Sequence, residues 1–381
     1  MSDAAHGPAP VLPGPRPRLR GWTNRLIASR GFQRWAARFP LTRGVARREG
    51  EALFDLVAGF LHSQVLQALV EMRVLHLLVD GPLRLEELAR RTGMPVERAQ
   101  VLMKAAAALG LVRMKRGGKV ALARTGAAML GVPGLEAMIQ HHSVLYRDLA
   151  DPVAFFRGET DTELAAFWPY VFGAGQARDP QTAERYSDLM ADSQGLVAEE
   201  TLAHVSLLGT RHLLDVGGGT GAFLSAVATA YRDIKGTLFD LPAVVPTATR
   251  RFQAAGVADR IDIVAGSFRD EALPRGADAV SLVRVLYDHA DDTVRALLSE
   301  VKDALPPDGR LIISEPMSGG SRPARVGDAY FAIYTMAMGT GKTRSQQEIA
   351  RLLQAAGFAD IKTPRTHRPF VTGIVTARVG S

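Results

Sequence analysis

The sequence predicts an α/β protein, a doubly wound, mostly parallel sheet in residues 206–381 behind a helical and winged-helix region. Three observations carry this. Short apolar runs alternate with helical patterns from His212 onward, a glycine-rich turn joins the first run to its helix, and residues 51–130 read as helix, turn, helix and hairpin.

The elements follow in chain order. Residues 1–18 are rich in Pro, Gly and Ala and read as loosely attached chain. Leu19, Trp22 and Leu26, then Phe32, Trp35 and Phe39, recur at helical spacing, with Gly31 between the two segments and Pro40 ending the second. Arg20, Arg25, Arg30, Arg34 and Arg38 fill much of the remaining circumference. Aromatics opposed by Arg are the pattern of a helix lying in an anionic membrane interface, or of a helix packed on protein with its Arg in solvent.

From Leu53 to Leu78 a long helical pattern runs to the break at Asp80-Gly81-Pro82. Leu85–Arg91 and Val96–Leu109 read as two helices across Thr92-Gly93-Met94-Pro95, and residues 111–114 pair with 119–122 as a wing. Such a unit raises sequence-specific DNA binding as one reading. The second helix offers Arg98, Gln100 and Lys104 and then four alanines, Ala105 to Ala108, which suits packing or dimerisation better than base readout. Residues 131–205 read as a helical linker and pocket region, with aromatics at Tyr146, Phe155, Phe156, Phe167, Trp168, Tyr170, Phe172 and Tyr186 as core or lining.

The sheet is predicted from strands at 212–216, 235–239, 261–265, 279–286 and 310–314, with 360–363 and 370–379 closing it as an antiparallel pair. In such a sheet a ligand sits beyond the carboxyl ends of the strands.

Composition narrows the chemistry. At 47% apolar and 22% charged, 381 residues are ordinary globular material with ample core. No cysteine means no disulfide, thiolate nucleophile or Cys-ligated metal. No run of about 18 uninterrupted apolar residues and no apolar leader occurs, so a cytoplasmic protein without membrane span, secretory signal or metal is expected. The net charge of +7 is unevenly placed: residues 1–50 hold ten Arg against Asp3 and Glu49, a net of +8, residues 51–126 a net of +4, and the remainder −5. The basic surplus belongs to the N-terminal extension and no nucleic-acid partner is expected.

Gly217-x-Gly219-x-x-Ala222 satisfies the dinucleotide fingerprint, with Asp240 21 residues after Gly219 where a ribose-binding acid belongs. NAD and S-adenosylmethionine both remain open on this ground. Asp215, just before the glycines, suits a cationic ligand better than a pyrophosphate, and the terminal strand pair suits a methyltransferase sheet better than a dehydrogenase sheet.

Six motifs then occur together: Leu213-Leu214-Asp215-Val216-Gly217-Gly218-Gly219-Thr220-Gly221, Phe239-Asp240-Leu241-Pro242, Ala265-Gly266-Ser267-Phe268, Leu273-Pro274-Arg275-Gly276-Ala277-Asp278, Arg284-Val285-Leu286-Tyr287-Asp288-His289 and Ser314-Glu315-Pro316. In order and spacing residues 50–380 resemble the class I O-methyltransferases that include the caffeate and acetylserotonin enzymes. The resemblance implies a Rossmann-like seven-stranded sheet, S-adenosylmethionine as cofactor, and a homodimer whose winged-helix domain swaps across the interface to close the partner's pocket. It implies Gly217, Gly219 and Gly221 around the methionine part, Asp240 and Leu241 at the ribose, Ser267 and Phe268 near the adenine, and Asp215 and Arg284 in the same cofactor site. Serine stands at 267 where the family usually has an acid.

The catalytic stretch departs further. The family commonly reads Leu-His-Asp-Trp with the His as base, whereas Leu286-Tyr287-Asp288-His289 puts a tyrosine there and a histidine two residues on. Glu315 matches a base-orienting carboxylate; a second one is replaced by Thr343 in Gly341-Lys342-Thr343-Arg344-Ser345. Two assignments stay open: His289 as base positioned by Tyr287 or Asp288, or Tyr287 on the acceptor with His289 structural. Methyl transfer from a sulfonium tolerates either, because alignment in a dry pocket supplies much of the acceleration and a base need only take the proton as the bond forms.

Tyr330, Tyr334, Met336 and Met338, with Phe331, lie where the family places acceptor-binding residues, and Met with aromatics suits a long apolar acceptor. The Tyr-Asp-His variant, the Met-rich stretch and the Arg-aromatic extension most resemble the carotenoid-synthesis branch of the family in photosynthetic bacteria, which methylates hydroxyls of acyclic carotenoids held in membrane. A polyketide or phenolic acceptor, and carbon methylation of a bacteriochlorophyll precursor, are the alternatives. For residues 19–39 this branch implies peripheral contact with the inner face of the cytoplasmic or photosynthetic membrane.

Overall fold

The computed structural model describes residues 18–167 and 193–380, which fall into two compact units divided between residues 68 and 69. Residues 1–17 and the predicted aromatics Trp168, Tyr170, Phe172 and Tyr186 lie outside the described residues.

The first unit holds α1 (Arg18–Ile27), α2 (Arg30–Arg38) and most of α3 (Arg43–Glu71). Gly31 does not separate the first two helices, as the sequence reading had it. The break falls at Ser29, whose hydroxyl accepts the Phe32 N–H at 3.3 Å and caps α2, so Gly31 is carried in the first turn. α2 ends at Arg38, with Phe39 as its extended C-cap directly before Pro40. α3 begins eight residues before Glu51 and, by length and composition, could cross a membrane, against the expectation that no segment could. His62, Ser63, Gln64 and Gln67 interrupt its apolar run, which is why a search for unbroken apolar stretches passes over it. Its Leu53, Phe54, Leu56, Val57, Phe60 and Leu61 are all more than half exposed.

In the second unit Arg73, in the left-handed region at φ 53°, separates α3 from α4 (Val74–Leu77). The winged-helix order follows: β1 (Leu83–Arg84), α5 (Leu85–Thr92), α6 (Val96–Ala108), β2 (Val112–Lys115) and β3 (Lys119–Leu122), in the antiparallel order β1-β3-β2. β1 has only two residues, too few for any periodicity to announce it. α7 (Arg124–Leu130), α8 (Leu135–Asp148), α9 (Pro152–Arg157), α10 (Glu163–Phe167) and α11 (residues 193–204) lead to the sheet. Phe155 is core, whereas Phe156 is 58% exposed.

The large sheet comprises β4 (His212–Val216), β5 (Lys235–Asp240), β6 (Ile261–Ala265), β7 (Ala279–Val283), β8 (Arg310–Glu315), β9 (Phe358–Lys362) and β10 (Gly373–Val379). Its order is β6-β5-β4-β7-β8-β10-β9, parallel except for β10, which runs antiparallel to both β8 and β9. The seven strands and the antiparallel close match the expectation. β7 stops at Val283 instead of 286 because Arg284 takes φ 59° and turns the chain into a 3-10 turn at Leu286–Asp288. β10 starts at Gly373 instead of 370, since Val371 N–H bonds back to Arg368 and Phe370 lies in solvent.

Alternation along buried strands fills both faces. Leu311 and Ile313 pack with Leu297, Leu298 and Val301 of α14 (Asp291–Ala304) and Ile349 and Leu353 of α16 (Gln346–Ala355). Ile312 faces the other way, with Phe223, Leu224 and Val227 of α12 (Ala222–Ala230) and Ala248 and Phe252 of α13 (Val245–Ala254). Each such Leu or Ile contributes roughly 1.5–3 kcal/mol. Sheet order reverses between β4 and β7, so the loops after these two strands flank one crevice.

Candidate active site

The loop after β4 is built by backbone. Gly217, Gly219 and Gly221 all have positive φ, 66°, 59° and 75°. A Cβ on Gly221 would stand 2.4 Å from the Phe252 ring and one on Gly217 2.9 Å from Val285, while Gly219 faces open space. Asp240, at the end of β5, accepts the Gly219 N–H at 2.6 Å and the Leu241 N–H at 2.7 Å, which ties the loop to the neighbouring strand.

Asp215 is fully buried. Its Oδ1 accepts from Ser281 on β7 at 2.6 Å, and its Oδ2 has no hydrogen-bond partner among the described residues. Burial, opposed by the Ser281 bond and reinforced by the nearby Asp240 charge, lifts its pKa to about 7; burial likewise lifts Asp240. Two crowded carboxylates, one with an orphaned oxygen, beside an open glycine turn fit a cationic ligand carrying a ribose. They disfavour a pyrophosphate.

Ser267 and Phe268 follow β6. The Ser267 hydroxyl accepts the Arg269 N–H at 3.2 Å, and the Phe268 ring meets His289 edge-on at 5.3 Å. That contact places His289. Its ring is buried between Phe268 and Arg269, whose Nη2 lies 3.1 Å from Nδ1, and burial with the Arg269 and Arg344 charges lowers its pKa to about 4. Its ring nitrogen is engaged on the Ser267–Phe268 side of the crevice.

Tyr287 points elsewhere. Its hydroxyl is 3.3 Å from Arg284 Nη2, its ring packs edge-on to Phe331 at 6.3 Å, and Arg284 also donates to Ser193 on α11 at 2.7 Å. Burial raises the phenol well above its usual pKa. The guanidinium of Arg284 thus lies with Tyr287, on the Phe331 side, and the strained φ of Arg284 aims it there. Asp288 Oδ1 is buried with no partner among the described residues, and burial pushes its pKa strongly up. Glu315 is fully buried, accepts the Tyr287 N–H at 3.1 Å, and is raised by burial to about 7.

A clamp invisible in the sequence holds this loop. Arg344, 1% exposed, donates to the carbonyls of Leu286 and His289 at 2.8 Å each and pairs with Asp291 at 2.7 Å. Lys342 N–H bonds the Tyr287 carbonyl, and Thr340 Oγ1 the Asp288 carbonyl. The stretch that lacks the family's second carboxylate therefore still grips the 286–291 segment, through a cation and backbone.

Tyr330 lies next to the end of a π-helical segment (Arg325–Phe331), and Tyr334 lies on α15 (Ala332–Ala337). Their rings stack at 6.3 Å, and α8 supplies partners that sequence reasoning missed: His142 Nε2 is 2.7 Å from Tyr330 Oη, and His141 Nε2 3.1 Å from Tyr334 Oη. The predicted methionines do not join them as a lining pair. Met338, four residues after Tyr334 on the same face, is buried in the apolar cluster with Val144, Phe155 and Leu164, while Met336 points away and is 51% exposed.

Glu200, His204 and His367 also approach one another, in a metal-like grouping, but both Glu200 oxygens already accept from Arg368.

Comparison with known proteins places this geometry. Residues 146–359 match the O-methyltransferase domain model and residues 54–131 the O-methyltransferase dimerisation domain model. The chain is 58% identical to demethylspheroidene O-methyltransferase of Cereibacter sphaeroides, over 93% of each chain, and 54% identical to that of Rhodobacter capsulatus, over 98% of this chain and 92% of the relative. Among solved structures, human N-acetylserotonin methyltransferase in complex with S-adenosylmethionine superposes with a TM-score of 0.74 at 24% identity, covering 87% of this chain and 98% of that one. The winged-helix unit falls within the dimerisation match, which favours packing over DNA readout for α6, and the exposed apolar residues of α3 from Phe54 onward fall within it too.

Proposed function

The chain belongs to the S-adenosylmethionine-dependent O-methyltransferases, and from that premise we propose that it methylates the hydroxyl of an acyclic hydroxycarotenoid. The identity to two demethylspheroidene O-methyltransferases, extending over nearly all of each chain, carries this reading. The cofactor supplies an electrophilic methyl group on sulfonium. Gly217, Gly219 and Gly221 hold its methionine part, Asp240 and Leu241 its ribose, Ser267 and Phe268 its adenine, and Asp215 supplies negative charge beneath.

Of the two assignments for the catalytic stretch we take the one in which Tyr287 meets the acceptor. Its hydroxyl stands with Arg284 on the Phe331 and Tyr330 side, whereas His289 is packed on Phe268 with Nδ1 held by Arg269. Tyr287 and Arg284 orient the acceptor oxygen, and Asp288, Glu315, His289 and Arg344 are positioning residues for that loop. Tyr330 forms one wall of the acceptor chamber, with Tyr334 and Met338 of the apolar cluster behind it. An aliphatic hydroxyl is far less acidic than any of these groups, so it keeps its proton until the methyl group arrives.

The winged-helix domain makes the homodimer, and α3 carries exposed apolar residues of its own. The N-terminal helices serve a different surface: Trp22, Trp35 and Phe39 are exposed, Trp35 stacks on Phe39 at 4.8 Å, and Arg34 and Arg38 flank the pair in one groove. Apolar rings edged by guanidinium groups suit peripheral binding to an anionic membrane, where a carotenoid resides, from the cytoplasmic side. Replacing Trp22, Trp35 and Phe39 by Ser in the full chain should lower co-sedimentation with anionic liposomes without changing cofactor affinity; equal sedimentation removes the membrane role. The acceptor is tested by incubating the protein with methyl-labelled cofactor and a pigment extract. Label in a carotenoid methyl ether is expected, and label confined to phenolics or tetrapyrroles rejects the assignment.

A further inference from the structure

We propose that Tyr330 and His142 form a proton relay that serves as the base of this methyl transfer, in the place left by the family's histidine. The proposal rests on the reading above of Tyr330 as part of the acceptor chamber, and deepens it.

The two phenols taken to face the chamber are held protonated: burial raises both Tyr287 and Tyr330. A protonated phenol accepts a proton only by passing on its own, so it needs a basic atom directly behind it. Tyr287 has the Arg284 guanidinium there, which only donates, and the Asp288 carboxyl, which burial pushes strongly toward its protonated form. Tyr330 has the imidazole of His142 at 2.7 Å. His289 is occupied by Arg269 and packed against Phe268.

Tyr334 and His141 form a parallel pair, and three differences set it aside. Their separation is longer, 3.1 Å; Tyr334 is part of the closed apolar cluster with Val144 and Leu164; and burial together with the His142 charge lowers His141 to about 4, which makes it the poorer acceptor. Tyr330 instead abuts Phe331 at 5.0 Å, whose ring meets Tyr287. The relay therefore reaches the same wall as the residues taken to orient the acceptor.

The proton balance is simple. As the acceptor oxygen bonds to the methyl carbon and the carbon–sulfur bond breaks, the hydroxyl proton moves to Tyr330 Oη and the Tyr330 phenolic proton moves to His142 Nε2. The sulfonium charge is thereby replaced by an imidazolium charge, which is discharged to water after turnover. His142 must start neutral with its proton on Nδ1; burial, which lowers its pKa, favours the neutral ring. The groups facing it are His141 and Tyr146 on its own helix and Tyr330 across from it, with Arg284 and Tyr334 acting on Tyr330.

The test combines a spectroscopic and a kinetic readout on the full chain. In the ¹⁵N spectrum of histidine-labelled protein without cofactor, His142 should show a bare, hydrogen-bonded Nε2 that shifts on Tyr330→Phe. His142→Gln, which keeps a hydrogen-bonding group but no base, should cut kcat for a hydroxycarotenoid by about 100-fold or more. It should also abolish the acid limb of the pH profile and leave the cofactor Kd within about twofold. A His142 Nε2 that carries the proton at neutral pH, or a His142→Gln enzyme with wild-type kcat and an unchanged acid limb, overturns the relay. Failure of the wild-type enzyme to methylate any hydroxycarotenoid defeats the acceptor reading instead, and the spectrum still decides the tautomer.

Discussion

The two sides of the crevice are built from different materials. Beyond β4 and β5 the site is mostly backbone: three glycines at positive φ and two N–H groups on Asp240, beside the Asp215 carboxylate, one oxygen of which has no partner among the described residues. Beyond β7 it is side chains from distant elements: Tyr287 with Arg284, Arg344 from before α16, and His142 of α8 against Tyr330. On the assignment proposed above, the side that would meet the cofactor has a geometry that tolerates little change, whereas the acceptor side is free to exchange residues while keeping alignment.

The largest expected effect is on the backbone side. Gly221→Val should abolish cofactor binding in calorimetric titration and cost about 3 kcal/mol or more in chemical denaturation, since its Cβ would overlap Phe252 at a φ of 75°. Retained affinity would mean the loop is not backbone-limited. On the other side, Arg344→Met strips the Leu286 and His289 carbonyls of their donor. A loss of about 2–4 kcal/mol, and a fall in kcat exceeding the change in cofactor affinity, are expected. Asp240→Asn should weaken cofactor affinity by about 10–100-fold with little change in acceptor KM, the cost of a charge-assisted bond pair.

The most gradual effect is a pH slope. His289 has a folded pKa near 4 against about 6.5 when unfolded, so the stability it permits is complete above pH 6.5 and lost as pH falls toward 4. The difference in unfolding free energy between wild type and His289→Gln should therefore change in that window, by up to about 1.4 kcal/mol per pH unit, and be flat above pH 7. Asp215 and Glu315, raised to about 7, have the opposite sign but cancel in the difference.

Legibility followed the same division. The strand, glycine turn and helix from His212 to Ala230 were readable because backbone conformation is written in local spacing, and Asp240 because its distance from the loop is set by one helix and one strand. The winged helix was readable for the same reason, except for two-residue β1. The His142–Tyr330 pair joins residues 188 apart, on elements whose contact no local pattern reveals. Arg344 stood in a stretch noted for a missing acid, and its role as a buried donor depends on a segment 55 residues away. Met336 and Met338 face different ways, because residues two apart on a helix do not share a face, and the sequence spacing alone does not say which of them meets a ligand. His289 sat inside a motif whose loop turns it toward Phe268, through the φ of Arg284, and nothing in the neighbouring letters encodes that turn.

The central claim is that the acceptor side is adapted to align an aliphatic hydroxyl on a long apolar molecule. The most direct measurement is kcat/KM for an acyclic carotenoid with a tertiary hydroxyl, set against a phenol such as an acetylserotonin-type or naphthoate acceptor, in the same liposome suspension. A preference of at least 100-fold for the carotenoid is expected. Equal values, or a preference for the phenol, would contradict it.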